Sequence, residues 1–107
     1  IILRFLSNPF TDAVVFGGLE PFLQITEVIE FIDRLRNAYN SNADVVIYTG
    51  YTEEEVRSTR FSHEYHQLQQ YQNVIVKFGR YIPNRPSKYD DVLGVTLASD
   101  NQYAKLL

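Results

Sequence analysis

The chain has 107 residues, of which 45% are hydrophobic and 21% charged, and its formal net charge is −3. This composition is typical of one globular domain or a part of one, and it excludes a disordered chain. No apolar run reaches the roughly 18 residues of a membrane span, and the negative charge argues against electrostatic binding to nucleic acid. We therefore expect a cytoplasmic protein whose partners are neither membranes nor nucleic acids.

Cysteine and methionine are both absent from the chain. Without cysteine there is no disulfide, no thiolate metal ligand and no cysteine nucleophile within these residues. Because a complete translation product begins with methionine, and this chain opens with the apolar Ile1, we interpret residues 1–107 as a single domain that is a fragment of a larger one. We expect residues 1–6 to be the tail of an earlier helix, closed by Pro9.

Four segments rich in β-branched and aromatic residues are predicted to be strands. The first three are nearly continuous apolar runs, which is typical of strands buried on both faces of a parallel sheet. The predicted strands are residues 13–16, 45–49, 74–78 and 92–97.

Helical patterns lie between these strands. Apolar residues at helical spacing form one stripe over residues 25–39. A second helix is predicted to begin at Thr52, where Glu55 completes a capping box, and its irregular pattern indicates two pieces. The two prolines in residues 83–91 predict a loop. Alternating strands and helices predict an α/β fold with a mostly parallel sheet, and the orphan helix tail implies that a first βα unit is lacking.

Three predicted strands end in glycine, at Gly17, Gly50 and Gly79. The carboxyl ends of parallel strands share one edge of a sheet, and ligands bind at that edge. Glu20 follows the first glycine pair, and a carboxylate beside free backbone N–H groups suits a ligand that carries both ammonium and carboxylate. Arg80 follows Gly79, and its guanidinium suits a ligand that carries a carboxylate or a phosphate. The competing interpretation is that each glycine serves only a turn and each polar side chain is solvated.

Four segments resemble the radical S-adenosylmethionine (SAM) activating enzymes. Residues 15–24 resemble their Gly-Gly-Glu/Asp-Pro-Leu segment, with Leu19 inserted before the acid. Residues 47–51 are similar to the Tyr-Thr-Gly-Tyr segment of the anaerobic ribonucleotide reductase activases. Residues 79–81 and 97–102 are similar to their Gly-Arg-Phe and Gly-Ser-x-Asn-Gln segments. The four segments occur in the order of that family and cover most of the chain.

The resemblance implies a partial (βα) barrel that binds SAM at the carboxyl ends of its strands, as the fourth ligand of a 4Fe-4S cluster. One electron from the cluster cleaves SAM to methionine and a 5′-deoxyadenosyl radical, and in activases this radical takes hydrogen from a glycine of a partner enzyme. The implied partners are a glycyl-radical enzyme or reductase and an electron donor. The Cys-x-x-x-Cys-x-x-Cys loop that holds the cluster is absent, so we expect the full-length protein to be an enzyme and these residues alone to be inactive.

The resemblance also assigns roles to residues. Gly17, Gly18 and Glu20 would contact the amino group of SAM, and Thr49 and Gly50 would lie beside the cofactor. The remaining candidates are Ser99, Asn101 and Gln102 near the cofactor or partner, and Arg80 and Tyr51 as contacts to substrate or partner.

Two other interpretations remain open at this point. One is a non-catalytic α/β interaction domain that kept the fold and lost the cluster loop. The other is an unrelated flavodoxin-like domain that binds a nucleotide or a flavin. His63 and His66 are three residues apart, but no third ligand is apparent nearby, so a metal site is not expected.

Overall fold

In a computed structural model of the chain, the described residues are 2–7, 12–58 and 60–107, with side chains described from Ala13 onward. Seven strands lie in these residues: β1 Ile2–Ser7, β2 Asp12–Gly17, β3 Asp44–Tyr48, β4 Val74–Phe78, β5 Lys88–Asp90, β6 Val95–Leu97 and β7 Tyr103–Leu106. Five of them form one sheet in the order β1-β2-β3-β4-β7, and β5 and β6 form a separate two-stranded sheet.

The centre of the main sheet is parallel and its two borders are antiparallel. β2 pairs parallel with β3, and β3 pairs parallel with β4. β1 runs antiparallel to β2, and β7 runs antiparallel to β4. The predicted α/β class with a parallel sheet is therefore confirmed, although the described sheet is open and does not close into a barrel.

Three helices connect the parallel strands. They are α1 Ile25–Asp33, which follows a 3₁₀ turn and continues into a π-helical turn, α2 Glu53–Val56 and α3 Ser62–Leu68. The prediction of two pieces after Thr52 is confirmed. So is the capping box, in which Thr52 Oγ1 accepts the Glu55 N–H at 3.1 Å and Glu55 Oε1 accepts the Thr52 N–H at 2.9 Å. Among the described residues no helix has the length and apolar character that crossing a bilayer demands.

The prediction of a helix tail over residues 1–6 is wrong. Ile2–Ser7 is a strand that pairs along its whole length with β2. Six residues are too few to show a helical period, and β-branched and large apolar residues suit a strand equally well. The pairing also covers the border of β2 that would otherwise expose unpaired N–H and C=O groups. The predicted stop at Pro9 lies outside the described residues.

The prediction that residues 92–97 form the fourth strand of the main sheet is also wrong. Only Val95–Leu97 is extended there, and it pairs with Lys88–Asp90 in a hairpin. The strand that pairs with β4 at this border of the sheet is β7, which was not predicted from the sequence. The expected loop over residues 83–91 is correct only for its first part, since Lys88–Asp90 belongs to that hairpin.

All three helices pack on one face of the sheet and form the main core there. Residues at alternate positions of the parallel strands point to that face, as the two-residue period of a strand requires. On the other face Val46, Ile75 and Ala104 form a smaller cluster, against which Leu93 of the hairpin turn packs. The main core contains Val14, Phe16, Val45, Ile47, Val74, Val76 and Phe78 from strands and Phe22, Val28, Ile32 and Leu68 from helical segments.

Asp90 fastens the hairpin to the outer border of the sheet. Its side chain is buried, with 6% exposed. Oδ1 accepts the N–H of Ala104 in β7 at 3.0 Å, and Oδ2 accepts the N–H of Leu93 at 2.8 Å. One carboxylate therefore closes the hairpin turn and occupies a backbone donor of the last strand of the sheet.

Candidate functional site

The predicted site residues meet at one edge of the sheet, which we call the rim. It consists of the loops that follow β2, β3 and β4 and the turn that leads into β7 (residues 17–24, 49–52, 79–82 and 98–102). Because β7 is antiparallel to β4, Tyr103 at its start lies opposite Phe78 at the end of β4. The chain therefore brings Ser99, Asn101 and Gln102 to the rim by a reversal of direction, and not as the end of a parallel strand.

Glu20 joins two loops of the rim. Its carboxylate accepts the N–H of Phe22 at 2.9 Å and the N–H of Gly50 at 2.8 Å, and the Thr49 hydroxyl lies 2.9 Å from each of its oxygens. These contacts connect the end of β2 to the end of β3. Glu20 as a whole is partly exposed.

Gly17 and Gly18 lead the chain from β2 to Glu20. Gly17 is the last residue of β2, and an added Cβ there would meet Tyr48 only at 4.0 Å. Gly18 is exposed and has a φ of +82°, so it supplies the turn after the strand. The positive φ of Gly18 therefore gives the loop its direction after β2.

Arg80 lies next to Gly50 on the third loop. Its Nε donates to the Gly50 carbonyl at 3.3 Å, and one terminal nitrogen is 3.8 Å from Glu55 Oε1. The Arg80 and Glu55 side chains are 67% and 48% exposed. Solvent screens an exposed ion pair of this kind, so the guanidinium can exchange Glu55 for the anionic group of a ligand.

A cavity of about 370 Å³ opens beside these loops. Its volume lies within the range of small-molecule sites. Apolar surface and polar groups both contribute to its wall. It is lined by Gly50, Thr52, Glu55, Phe78, Gly79, Arg80, Ile82, Asn101 and Tyr103.

The turn before β7 is held by its own polar side chains. Ser99 is fully buried and Gln102 is 4% exposed. Gln102 Oε1 accepts the Ser99 N–H at 3.2 Å, and Gln102 Nε2 donates to the Gly79 carbonyl at 3.2 Å. Asn101 Nδ2 donates to the Arg80 carbonyl at 2.9 Å. The Gln102 and Asn101 side chains thus hold the third loop of the rim, and Ser99 and Gln102 present little surface to a ligand.

The backbone of Tyr51 hydrogen-bonds to two other residues of the rim. Its N–H donates to Thr49 Oγ1 at 3.1 Å, and its carbonyl accepts the Gly79 N–H at 2.9 Å. Its ring packs against Phe61 in the main core at a centroid distance of 5.2 Å. The Tyr51 side chain thus packs against the main core and stays partly exposed, and its contact to a substrate or partner remains a prediction.

Lys77 and Tyr48 are two rim-proximal residues that sequence analysis missed. They are paired neighbours on β4 and β3, on the face opposite the helices, and the Lys77 ammonium is 5.6 Å from the centre of the Tyr48 ring. Burial lowers the pKa of Lys77, and the nearby charge of Glu20 partly opposes that shift. A lysine within the apolar run of β4 was the available signal.

A second cluster that the sequence did not reveal surrounds Glu53. Glu53 accepts hydrogen bonds from the Tyr103 hydroxyl at 2.6 Å and from the Lys105 ammonium at 2.7 Å. The Lys105 bond, and then the Tyr103 bond, lower the pKa of Glu53. Burial, together with the bond to Glu53, raises the pKa of Tyr103 from 10.0 to about 12. The cluster thus ties the start of α2 to β7.

This cluster predicts a loss of stability at high pH. The folded-state pKa of Tyr103 lies above its ordinary value, so its contribution is complete below about pH 10 and is lost as the pH rises towards about 12. We expect the Tm of Tyr103→Phe to fall less than that of the original chain between those pH values. Thermal unfolding followed by circular dichroism measures this, and Tyr81→Phe, which removes an exposed phenol of the rim loop, should keep the steeper fall. Equal falls in all three proteins would contradict the assignment.

Comparison with known proteins identifies the family to which the chain belongs. A family model described as a 4Fe-4S single cluster domain matches residues 1–103. The chain belongs to the 4Fe-4S single cluster domain family. Comparison with curated proteins and with solved structures returned no significant match.

The residues present do not fit the cluster for which this family is named. Iron–sulfur clusters are held by cysteine thiolates, and the 107 residues contain none. Within the described part of the chain, no group of three or more histidine, aspartate or glutamate side chains is arranged to hold a metal ion. We therefore assign these residues no step that passes through an iron–sulfur cluster.

Proposed function

We propose that this chain is the SAM-binding part of a radical SAM protein of the activase type. Membership of the 4Fe-4S single cluster family and the order of the four rim segments support the proposal. Because the residues include no thiolate, the proposal assigns them the binding and orientation of SAM and no electron transfer. A glycyl-radical enzyme or reductase as the partner, and a separate electron donor, belong to the same proposal.

One observation carries this proposal: a carboxylate and a guanidinium both hydrogen-bond to the backbone of Gly50, the first to its N–H and the second to its carbonyl. A Cβ added to Gly50 would lie 3.6 Å from Glu20 Oε1 and 3.8 Å from Arg80 Cβ. The methionyl part of SAM carries one ammonium and one carboxylate group. Glu20 suits the first and Arg80 suits the second, and the cavity beside Arg80 offers volume for the nucleoside.

Binding of S-adenosylhomocysteine to the 107-residue chain tests the proposal. This stable analogue keeps both charged groups, and we expect saturable binding with one site per chain by isothermal titration calorimetry. Glu20→Gln removes the charged acceptor of the ligand ammonium and should weaken binding at least about tenfold. Glu54→Gln, which changes an exposed carboxylate outside the rim, is the matched control and should bind as the original chain does.

Two outcomes would overturn this proposal. The first is no binding by the original chain under conditions in which it is folded. The second is equal binding by the Glu20→Gln variant. Titration with a flavin mononucleotide in parallel examines the flavodoxin-like alternative, which saturable flavin binding without S-adenosylhomocysteine binding would favour.

A further inference from the structure

Thr49 has a hydroxyl group that is fully engaged within the protein. The residue follows β3 directly and is 2% exposed. Its Oγ1 accepts the N–H of Tyr51 at 3.1 Å and lies 2.9 Å from both carboxylate oxygens of Glu20. So little exposed surface leaves Thr49 poorly placed to touch a ligand itself.

The direction of this hydroxyl is set by its neighbours. A backbone N–H can only donate, so the Tyr51 bond occupies a lone pair of Oγ1 and leaves the single hydroxyl proton for Glu20. Glu20 also accepts the N–H of Gly50 on Oε1 and that of Phe22 on Oε2. Three donors from two loops therefore fix both the position and the plane of one carboxylate.

The carboxylate still has capacity for a ligand. An ionised carboxylate offers about four acceptor positions, and three protein donors leave about one of them. Glu20 is partly exposed, and a carbon atom at the Cβ position of Gly50 would lie 3.6 Å from Glu20 Oε1 without a clash, so a ligand atom can approach that oxygen. A cation that arrives there finds an acceptor whose orientation is already set, so little ordering is needed on binding.

We infer that Thr49 is a positioning residue, which orients the Glu20 carboxylate towards the ammonium group of an amino-acid-bearing nucleoside. The inference rests on the proposed function, because it takes Glu20 as the group that meets the ammonium. It goes further than the proposed function because Thr49 does not touch the ligand. Its buried hydroxyl acts on the amino-acid end of the ligand only by orienting Glu20. Binding of the adenosine end of the ligand should not depend on the Thr49 hydroxyl.

Two ligands that differ only at the amino-acid end provide the test. S-adenosylhomocysteine carries the ammonium group, and 5′-methylthioadenosine lacks the whole amino-acid end. We expect Thr49→Val to weaken S-adenosylhomocysteine binding about tenfold while 5′-methylthioadenosine binding changes less than about twofold. Thr49→Ser keeps the hydroxyl and should restore the affinity. Calorimetry on the folded original chain and both variants, each with both ligands, gives the six dissociation constants.

Each result supports or overturns the inference. A loss for both ligands alike, or a loss that serine does not rescue, shows a purely structural role and overturns it. Unchanged S-adenosylhomocysteine binding by Thr49→Val, with a loss in Glu20→Gln, overturns the inference alone and leaves the proposed function intact. Absence of binding in the original chain overturns both. If Thr49→Val does not fold, Thr49→Cys, whose thiol is a weak donor, takes its place and should fall between valine and serine.

Discussion

Replacing Gly79 with alanine is expected to destabilise the fold by about 2 kcal/mol or more. Gly79 has a φ of +97°, which side-chain-bearing residues rarely adopt. An added Cβ would also lie 3.3 Å from both the backbone oxygen and the Nδ2 of Asn101, and 3.4 Å from the Cα of Gln102. Two of these three atoms belong to the backbone and move only if the turn before β7 moves. For a domain of this size the Tm should fall by roughly 10 °C.

The matched control is Gly50→Ala, at the equivalent position of the neighbouring strand. Gly50 has no positive φ, and its added Cβ would make ordinary contacts at 3.6 Å and 3.8 Å. We expect its free energy of unfolding to change by less than about 0.5 kcal/mol. Chemical denaturation of both variants provides the comparison. Similar losses in the two, or a Gly79→Ala variant as stable as the original chain, would show that the turn before β7 is not held as tightly as the contacts indicate.

The three parallel strands could be predicted from the sequence because their burial on both faces leaves a local mark. Their runs, such as Val74-Ile75-Val76, are apolar without alternation, and only a central strand of a sheet needs that pattern. The rim could be predicted from the glycines that follow these strands, because they too depend on local conformation. A turn directly after a strand constrains the residue at that position, as the positive φ values of Gly18 and Gly79 show.

The border strands could not be predicted because their conformation depends on a distant partner. Ile2–Ser7 becomes a strand by pairing with β2, and Tyr103–Leu106 does so by pairing with β4. Neither segment has a period that separates strand from helix over so few residues. Within the predicted strand over residues 92–97, only Val95–Leu97 is extended. It pairs with Lys88–Asp90 and not with the main sheet.

The site shows the same division between local and distant information. The sequence predicted that Glu20, Thr49 and Gly50 lie at one edge, and the hydrogen bonds of Glu20 connect all three. It could not reveal that the Thr49 hydroxyl accepts a hydrogen bond from the Tyr51 N–H, or that the Tyr51 ring packs against Phe61. Those details depend on how the side chains of one loop pack against the next, which no spacing in the chain encodes.

Asp90 hydrogen-bonds to β7, the last strand of the sheet, and its replacement is expected to cause a second large loss of stability. Replacing Asp90 with alanine is expected to reduce the free energy of unfolding by about 3 kcal/mol, because two hydrogen bonds to a carboxylate are lost and the buried N–H of Ala104 is left without its partner. The hairpin would also lose its hold on the sheet, so Leu93 would no longer cover Val46 and Ile75. Chemical denaturation measures the loss of stability.

Asp91→Ala is the matched control, because Asp91 is the next residue of the hairpin turn and is exposed. Its free energy of unfolding should change by less than about 0.5 kcal/mol. Hydrogen exchange adds a local measurement: the amide of Ala104 should lose protection in Asp90→Ala and keep it in Asp91→Ala, since only the first removes the acceptor of that N–H. If the Ala104 amide stays protected in Asp90→Ala, another group satisfies the outer border of β7, and the hairpin is not what closes this side of the sheet.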